Sequence, residues 1–554
     1  MSYALERYAA QDALFARIPN RLLIQQCVLD GAEAGQLARI NVWRNHAFEP
    51  FESLARPYIA FGGWRAKFQL SNYDDSLMYS GRSAAELELL WLDSDRYLSG
   101  TAFGAWTQWL LTRIQALRTA TTAPIIVATW LTADRRDTLQ NLLDPLPGIY
   151  FADLGLACEL AGVDLIDKRT AAMAGTPIGR AAQPIVARKL ACQWLPGALF
   201  PPIKAVALDL DNTLHIGVLG EDGIQGVQLT PEHRTFQDFI KSLQQRGIFI
   251  ALVSRNERAD VEALFAKRDD YPMRWDDFSA IEISWGDKAS AIARIADALR
   301  IAPDSILFVD DNPGELAGIV AQLPQVHTVY AHTDANLTQR VVEHYPGVWR
   351  WKTETEDANR FQDVKANIER EALSVKIPDP TDYFRSLQVA LVYRYTPFEQ
   401  LGRLADLCNK TNQFNLAMRR FNETEVAERL DRANTCIASV QLKDRLSDSG
   451  VIAVIVAERD HERLLVEELC VSCRAMGRQL ENTILLQAIR DMPLFAGCQE
   501  VAFRVRHGSR NQPALEWLAQ LLGSDAPPNP GLHQISADRL REFAPADGVT
   551  LIKV

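Results

Sequence analysis

The chain has no cysteine framework, no excess of basic charge, no long apolar run and no basic leader before an apolar core. Each absence closes off a class of protein. Its eight cysteines are scattered over 554 residues without paired spacing, which predicts reduced thiols and a cytoplasmic setting. Cys470-Val-Ser-Cys473 has the spacing of half a zinc or redox site, but no second pair or nearby histidine completes it, so it reads as structural. Acidic residues outnumber Lys and Arg by 70 to 59, a net charge of −11, so nucleic acid has no basic surface to bind. A local basic pocket for a phosphate or a carrier partner is still compatible with that balance. No apolar stretch reaches the length that crosses a bilayer, and no membrane role is expected. A Gly-Asp-Ser motif is missing too, which leaves serine-esterase chemistry without its signature.

What is present is an ordinary globular composition, 47% hydrophobic and 23% charged, in a chain too long for one core. The reading is an N-terminal α/β domain over 1–200, a phosphoryl-chemistry domain over 201–350, a connecting helix and linker over 351–379, and an α+β domain over 380–554. In the first third, Thr122 to Thr129 and Ile149 to Leu154 are short bounded apolar runs that predict buried strands. Helices are expected at Thr101 to Leu117 and Thr132 to Leu143, giving an α/β layer arrangement. Asn72-Tyr-Asp74-Asp75-Ser76 is polar enough to border a cleft, yet a turn before a helix explains the same residues.

The middle third carries the chemistry. Ile203 to Leu208 is an apolar strand of the kind covered on both faces, and it runs directly into Asp209-Leu-Asp211-Asn-Thr213. A helix from Pro231 to Gln245, closed by Gly247, precedes a second strand, Ile248 to Val253, that delivers Ser254-Arg255-Asn256. The helix Lys288 to Leu299 and the strand Ser305 to Val309 complete another crossover and deliver Asp310 and Asp311. In a parallel sheet, functional residues gather past the carboxyl ends of strands. Asp209 is the candidate nucleophile that attacks phosphorus, and Asp211 the acid and base that serves the leaving oxygen and the incoming acceptor. Magnesium is the expected cofactor, held by Asp209, the backbone carbonyl of Asp211, and Asp310. Ser254 and Lys288 are the candidate phosphate ligands, with Asn256 beside them, and Thr213 can brace the loop through its hydroxyl.

The segments Ala207-LDLDNTLHIGVLGEDGI-Gln225, Val253-SRN-Glu257, Trp285-GDK-Ala289 and Leu307-FVDDNPGE-Leu316 resemble the FkbH-like branch of the haloacid dehalogenase superfamily. The resemblance implies a Rossmannoid parallel sheet, Asp209 as nucleophile, Asp211 as acid/base, Ser254 and Lys288 at the phosphate, and Asp310 with Asp311 at magnesium. It also implies transfer of a glyceryl or related hydroxyacyl group from 1,3-bisphosphoglycerate to the phosphopantetheine thiol of an acyl carrier protein, for polyketide assembly. Two departures matter. Val253 stands where many relatives have cysteine, so no thioester intermediate can form there, and His215 stands where relatives often have tryptophan. His215 is a candidate contact to an acyl phosphate or the filler of a polar niche. The stretch from Leu214 to Pro231 is too short for a large lid, so solvent exclusion is expected from a neighbouring domain or partner.

In the last third, the charged stretch Glu354 to Glu371 predicts the connecting helix, and Leu387 to Tyr395, Ala438 to Leu442, Val451 to Ala457 and Arg463 to Val471 predict strands. A helix is expected at Pro397 to Asn409, and another from Gln479 to Ile489 follows Cys473-Arg474-Ala-Met-Gly477-Arg478, whose backbone N–H groups suit a phosphate. This order resembles the acyl-CoA N-acyltransferase (GNAT) fold, although Arg478-Gln479 ends the turn where that family carries a small residue. Asn412, Asn415, Arg474, Gly477 and Arg478 are the candidate contacts to coenzyme A or to a carrier's phosphopantetheine arm. Three functions follow as expectations. The leading one is carrier acylation from an acyl phosphate. The others are a phosphatase acting on a small phosphomonoester joined to GNAT-like acyl transfer, and a carrier-docking scaffold without catalysis.

Overall fold

The computed structural model describes residues 2–29, 35–167, 175–352, 360–508 and 510–554. Two compact units divide the chain near residue 353. The first holds strands β1 Gln36–Arg44, β2 Trp64–Tyr73, β3 Leu87–Trp91, β4 Ile125–Thr129, β5 Ile149–Asp153, β6 Ala205–Leu208, β7 Phe249–Ser254, β8 Ala280–Ile283, β9 Ile306–Asp310 and β10 His327–Tyr330. They form two five-stranded sheets, ordered β2-β1-β3-β4-β5 and β10-β9-β6-β7-β8. Every pairing in both is parallel, as the crossover helices require. Strands β3, β4, β6, β7 and β9 are buried along their whole length, which is why they read as unbroken apolar runs.

Residues 1–200 and 201–350 each hold one of these sheets. Treating them as separate domains stays a proposal, because a single apolar core containing Leu14, Trp91, Leu195, Leu208 and Tyr345 joins them. The helix Ser2–Leu14 adds polar ties to the second sheet: Arg7 donates to the Tyr345 hydroxyl at 2.9 Å, and the Tyr8 hydroxyl meets Thr328 Oγ1 at 2.7 Å.

The second unit is α+β. Strands β11 Ala390–Tyr395, β12 Thr435–Lys443, β13 Asp448–Asp460, β14 Arg463–Val471, β15 Glu500–Val505, β16 Gly531–Ser536 and β17 Thr550–Lys553 form one mixed sheet, ordered β16-β15-β14-β13-β12-β11-β17. Its pairings are antiparallel except β14 with β15 and β11 with β17. The expected strand from Leu387 begins instead at Ala390, because Leu387 closes the helix Pro380–Leu387 and Gln388 leaves it in the left-handed region, φ 53°. The connecting helix runs over Arg360–Lys376, and the expected residues Glu354 to Asn359 lie outside the described residues. Among the described residues, no helix is long and apolar enough to cross a membrane.

Three buried histidines of the first unit are held neutral. Burial, then the charges of Arg96 and Arg44, pulls His46 down to about 3. Burial and Arg7 pull His327 to about 4, and burial with Arg188 takes His344 well below its usual range. Between those values and about 6.5 the unfolded chain binds protons that the folded chain refuses, so stability is full above about pH 6.5 and falls with pH at about 1.4 kcal/mol per unit per histidine. Urea titrations at pH 7 and pH 5.5 should show a smaller acid loss in His46→Gln than in the parent, whatever its stability at neutral pH. Equal losses would show that His46 takes a proton in the folded chain.

Candidate active site

In the sheet β10-β9-β6-β7-β8, the chain winds from β6 toward β8 on one side and continues from β9 to β10 on the other. The reversal lies between β6 and β9, and the crevice past their carboxyl ends is where such sheets bind ligands. Asp209 follows β6 there, its N–H bonded to Val309 O at 2.9 Å, and Asp310 is the last residue of β9. Register therefore aims two acids, about a hundred residues apart in sequence, at one point. Oxygens of Asp209, Asp310 and Asp311 lie within 4.8 Å of one another.

Lys288, first residue of the helix Lys288–Ala298, extends its ammonium between two of them, 2.8 Å from Asp209 Oδ1 and 2.6 Å from Asp310 Oδ2. Burial works against its charge, but the two carboxylates hold its pKa above the usual lysine range. Burial pushes Asp209 up, to about 8, with Lys288 opposing and Asp310 reinforcing the rise. Asp311 is also raised, by burial and then by Asp310. One ammonium cannot balance two buried carboxylates and a half-buried third, so the centre holds protons or takes up positive charge. An all-oxygen donor set with surplus negative charge fits a hard divalent cation such as magnesium.

Asp211 sits in the opposite environment. Burial would raise it, but His215, the Leu219 N–H and Asn256 together hold its pKa below the ordinary carboxylate range. Leu219 N donates to Oδ1 at 3.0 Å, Asn256 Nδ2 donates to Oδ2 at 2.8 Å, and His215 Nε2 lies 3.3 Å from Oδ1. The turn that makes this arrangement depends on Asn212 in the left-handed region, φ 53°, with its Oδ1 accepting from Gly217 N at 2.9 Å. Gly217 itself has φ 107°, a conformation that residues with a side chain rarely adopt, so a substitution there would strain the turn.

Ser254 ends β7, buried, with its Oγ accepting from Asn256 Nδ2 at 2.9 Å. Thr213 is buried and its hydroxyl has no bond partner, so it braces nothing in this loop and is free to meet a ligand oxygen. His215 is fully buried against the edge of Tyr271 and faces Asp211, not open space. The rim is tied together by Arg255 with Glu315 at 2.6 Å and by the Trp285 indole N–H to Glu257 Oε1 at 2.8 Å. Sequence reasoning missed Leu219, whose contribution is a backbone N–H, and the clustered Gly217, Gly220 and Gly223 were its only trace.

The candidate residues of the second unit are occupied by the chain itself. Asn415 is fully buried, its amide donating to Thr411 O at 3.2 Å and accepting from Met418 N at 2.6 Å. Asn412 Oδ1 accepts from Arg420. Strand β14 pairs with β15 only from Arg463 to Val466. Beyond that point Phe414–Leu416 takes its edge, through Leu416 N to Leu469 O at 3.0 Å and Val471 N to Phe414 O at 2.9 Å. Gly477 has φ 72° and spends its N–H on Glu481 Oε1 at 2.8 Å, while Arg474 N reaches Ser472 Oγ at 3.4 Å.

Arg478 lies in a buried charge network with Asp363, Asp444 and Arg370, beside a cavity of about 200 Å³ that Arg370, Tyr383 and Gly477 also line. Arg370 takes the short bonds, 2.7 Å to Asp444 and 3.1 Å to Asp363, leaving Arg478 at 3.7 and 3.6 Å from the same acids. Burial, then Arg370, lowers Arg478 to about 10. All eight cysteines are free; Cys470 is buried and Cys473 half-buried.

Fold and site thus define an α/β unit with an acidic, lysine-bridged centre at a parallel-sheet switch point, carried with a mixed α+β unit. No protein-family model and no curated protein matches the chain. Among solved structures it is similar to the N-terminal part of the protein BF1531 from Bacteroides fragilis, described as containing a phosphatase domain complexed with Mg. That likeness has 17% identity and a TM-score of 0.46 over 59% of this chain and 98% of the other. It is also similar to a GCN5-related glucosamine N-acetyltransferase region in a fungal multi-domain GH3 β-N-acetylglucosaminidase, at 11% identity and a TM-score of 0.18 over 94% of this chain and 68% of the other. Both scores are too low to establish a shared fold, and the architecture is described from this chain's own strand order.

Replacing Lys288 with methionine would leave buried acids facing one another. Breaking such a pair costs about 3–5 kcal/mol. Thermal unfolding of Lys288→Met should therefore show a marked loss without divalent ions, and millimolar magnesium should restore more stability to the variant than it adds to the parent. Equal magnesium responses would show that the ion does not enter this cluster.

Proposed function

We propose that the chain is a magnesium-dependent phosphohydrolase of the haloacid dehalogenase type, acting on a small phosphate ester, with a GNAT-like second unit that transfers an acyl group to a small acceptor. The observation that carries it is the meeting of Asp209, Asp310, Asp311 and Lys288 at the switch point. An Asp209 oxygen attacks phosphorus, the bond to the leaving oxygen breaks, and an aspartyl phosphate forms. Where the ester needs a proton, Asp211 must first take one up against the three groups that hold it ionised, and then passes it to that leaving oxygen. It then takes a proton from water as the water oxygen attacks phosphorus, releasing inorganic phosphate and restoring the Asp209 carboxylate. Lys288, Ser254 and Thr213 would offset charge on the phosphoryl oxygens, the first by its ammonium and the others as hydroxyl donors. Magnesium, held by Asp209, Asp310, Asp311 and the Asp211 carbonyl, would supply a Lewis acid beside the phosphoryl group.

A second reading is acyl transfer from an acyl phosphate to an acyl carrier protein. It rests on the sequence resemblance and on Asp211, which is held in the ionised form that a carboxylate leaving group tolerates without a proton. The β14 edge beside Asn415 is already paired, so an extended pantetheine arm would have to lie elsewhere or displace Phe414–Leu416. Mass spectrometry of a holo carrier incubated with 1,3-bisphosphoglycerate, magnesium and the protein decides between them: an acylated carrier supports this second reading, and phosphate release without carrier dependence supports the first.

For either reading, Asp209→Asn should abolish magnesium-dependent phosphate release from acetyl phosphate and 4-nitrophenyl phosphate, on the order of a thousandfold or more. A chelator should do the same to the parent, reversibly. A parent protein with no turnover on any phosphate substrate would instead favour a non-catalytic scaffold.

A further inference from the structure

We propose that His215 is a positioning residue for Asp211. The inference rests on the reading of Asp211 as the acid and base of the phosphoryl site. Asp211 must keep one oxygen directed at the leaving oxygen and later at water, and a carboxylate on a loop turns freely unless it is held. Two contacts hold its Oδ1, the Leu219 N–H at 3.0 Å and His215 Nε2 at 3.3 Å, while Asn256 Nδ2 holds Oδ2 at 2.8 Å.

His215 can do this because its ring has nowhere else to go. It is fully buried, and the edge of Tyr271 stands 6.1 Å from it centre to centre. The backbone that carries it is pinned on both sides. Gln237, on the helix Pro231–Ser242, donates to Leu214 O at 2.8 Å, and Ile216 exchanges both backbone bonds with Gln228, at 2.9 and 2.8 Å. Neither ring nitrogen has a hydrogen-bond partner besides this approach to Asp211. A buried imidazole with a single polar neighbour is tolerated when that neighbour uses it. Because solvent does not reach the ring, His215 acts on the reaction through Asp211 and not by touching substrate.

In the second half of the cycle, the water proton passes to Asp211 as the water oxygen bonds to phosphorus and the Asp209–phosphorus bond breaks. A misdirected Asp211 slows that step more than the first when the leaving group is a carboxylate, which departs without a proton. The loss of one such contact corresponds to about a tenfold change in rate.

The test uses the full chain with magnesium and acetyl phosphate. His215→Phe keeps a ring and removes the nitrogen, and His215→Gln can return an amide nitrogen to the same place. The expected result for His215→Phe is kcat and KM lowered together, by up to about tenfold, with kcat/KM within twofold of the parent and a steady-state fraction of acid-stable phosphoenzyme no lower than the parent's, and His215→Gln recovering most of kcat. Unaltered turnover in His215→Phe, or a His215→Gln variant as slow as His215→Phe at equal melting temperature, overturns the positioning role alone. If His215→Phe does not fold, Tyr271→Leu, which frees the ring without changing it, must show the same parallel fall in kcat and KM, and parental kinetics in it overturn the proposal. A parent protein that forms no phosphoenzyme on Asp209 overturns the phosphoryl reading and this role with it.

Discussion

Too many carboxylates around one ammonium is the constraint on which the first unit depends. Asp209 and Asp310 share Lys288, and Asp311 adds a third acid within the same 4.8 Å cluster. In water such a group would spread apart. Here the acids are fixed by paired strands, since Asp209 is bonded to Val309 of the neighbouring strand and Asp310 belongs to β9 itself. Strain of charge is therefore stored by the sheet, and a divalent ion is the simplest species that relieves it without moving backbone.

The same loop separates two acids that are chemically identical. Asp209 is pushed up by burial beside other carboxylates, and Asp211, two positions on, is held down by three donors. Environments that drive paired titratable groups apart assign them different tasks. The turn at Asn212 and Gly217 makes the difference, because it folds Leu219 back over Asp211 while leaving Asp209 against Lys288.

In the second sheet of the first unit, β6, β7 and β9 were legible because they are short, apolar and end in functional residues, so Asp209, Ser254 and Asp310 announced both element and site, while the outer strands β8 and β10, which are not apolar throughout, were not read. The sheet of residues 36–153 was read only in β4 and β5. Strands β1 and β2 alternate apolar and polar residues, Ala38-Arg39-Ile40-Asn41-Val42 and Trp64-Arg65-Ala66-Lys67-Phe68-Gln69-Leu70, so their strand period was present in the sequence but was passed over for the unbroken apolar runs of β4 and β5. At the site, His215 was visible as a residue but not as a neighbour of Asp211, since its direction depends on a backbone turn that sequence spacing does not encode. In the second unit, polar residues such as Asn415 look alike whether they greet a ligand or bond their own loop, and only coordinates separate the two.

The docking of Phe414–Leu416 along β14 has a consequence for the molecule's behaviour in a crowded solution. A parallel pair that parts company after Val466 would otherwise offer a row of bare amides and carbonyls in the middle of a broad sheet. By laying its own backbone there, with Asn511 Nδ2 bonded to Asn415 O at 3.0 Å to keep it seated, the chain closes that gap to a stranger's strand. Protection of the interior of the sheet is thus supplied by the segment 411–422, and loosening it would bare backbone that a foreign strand could pair with.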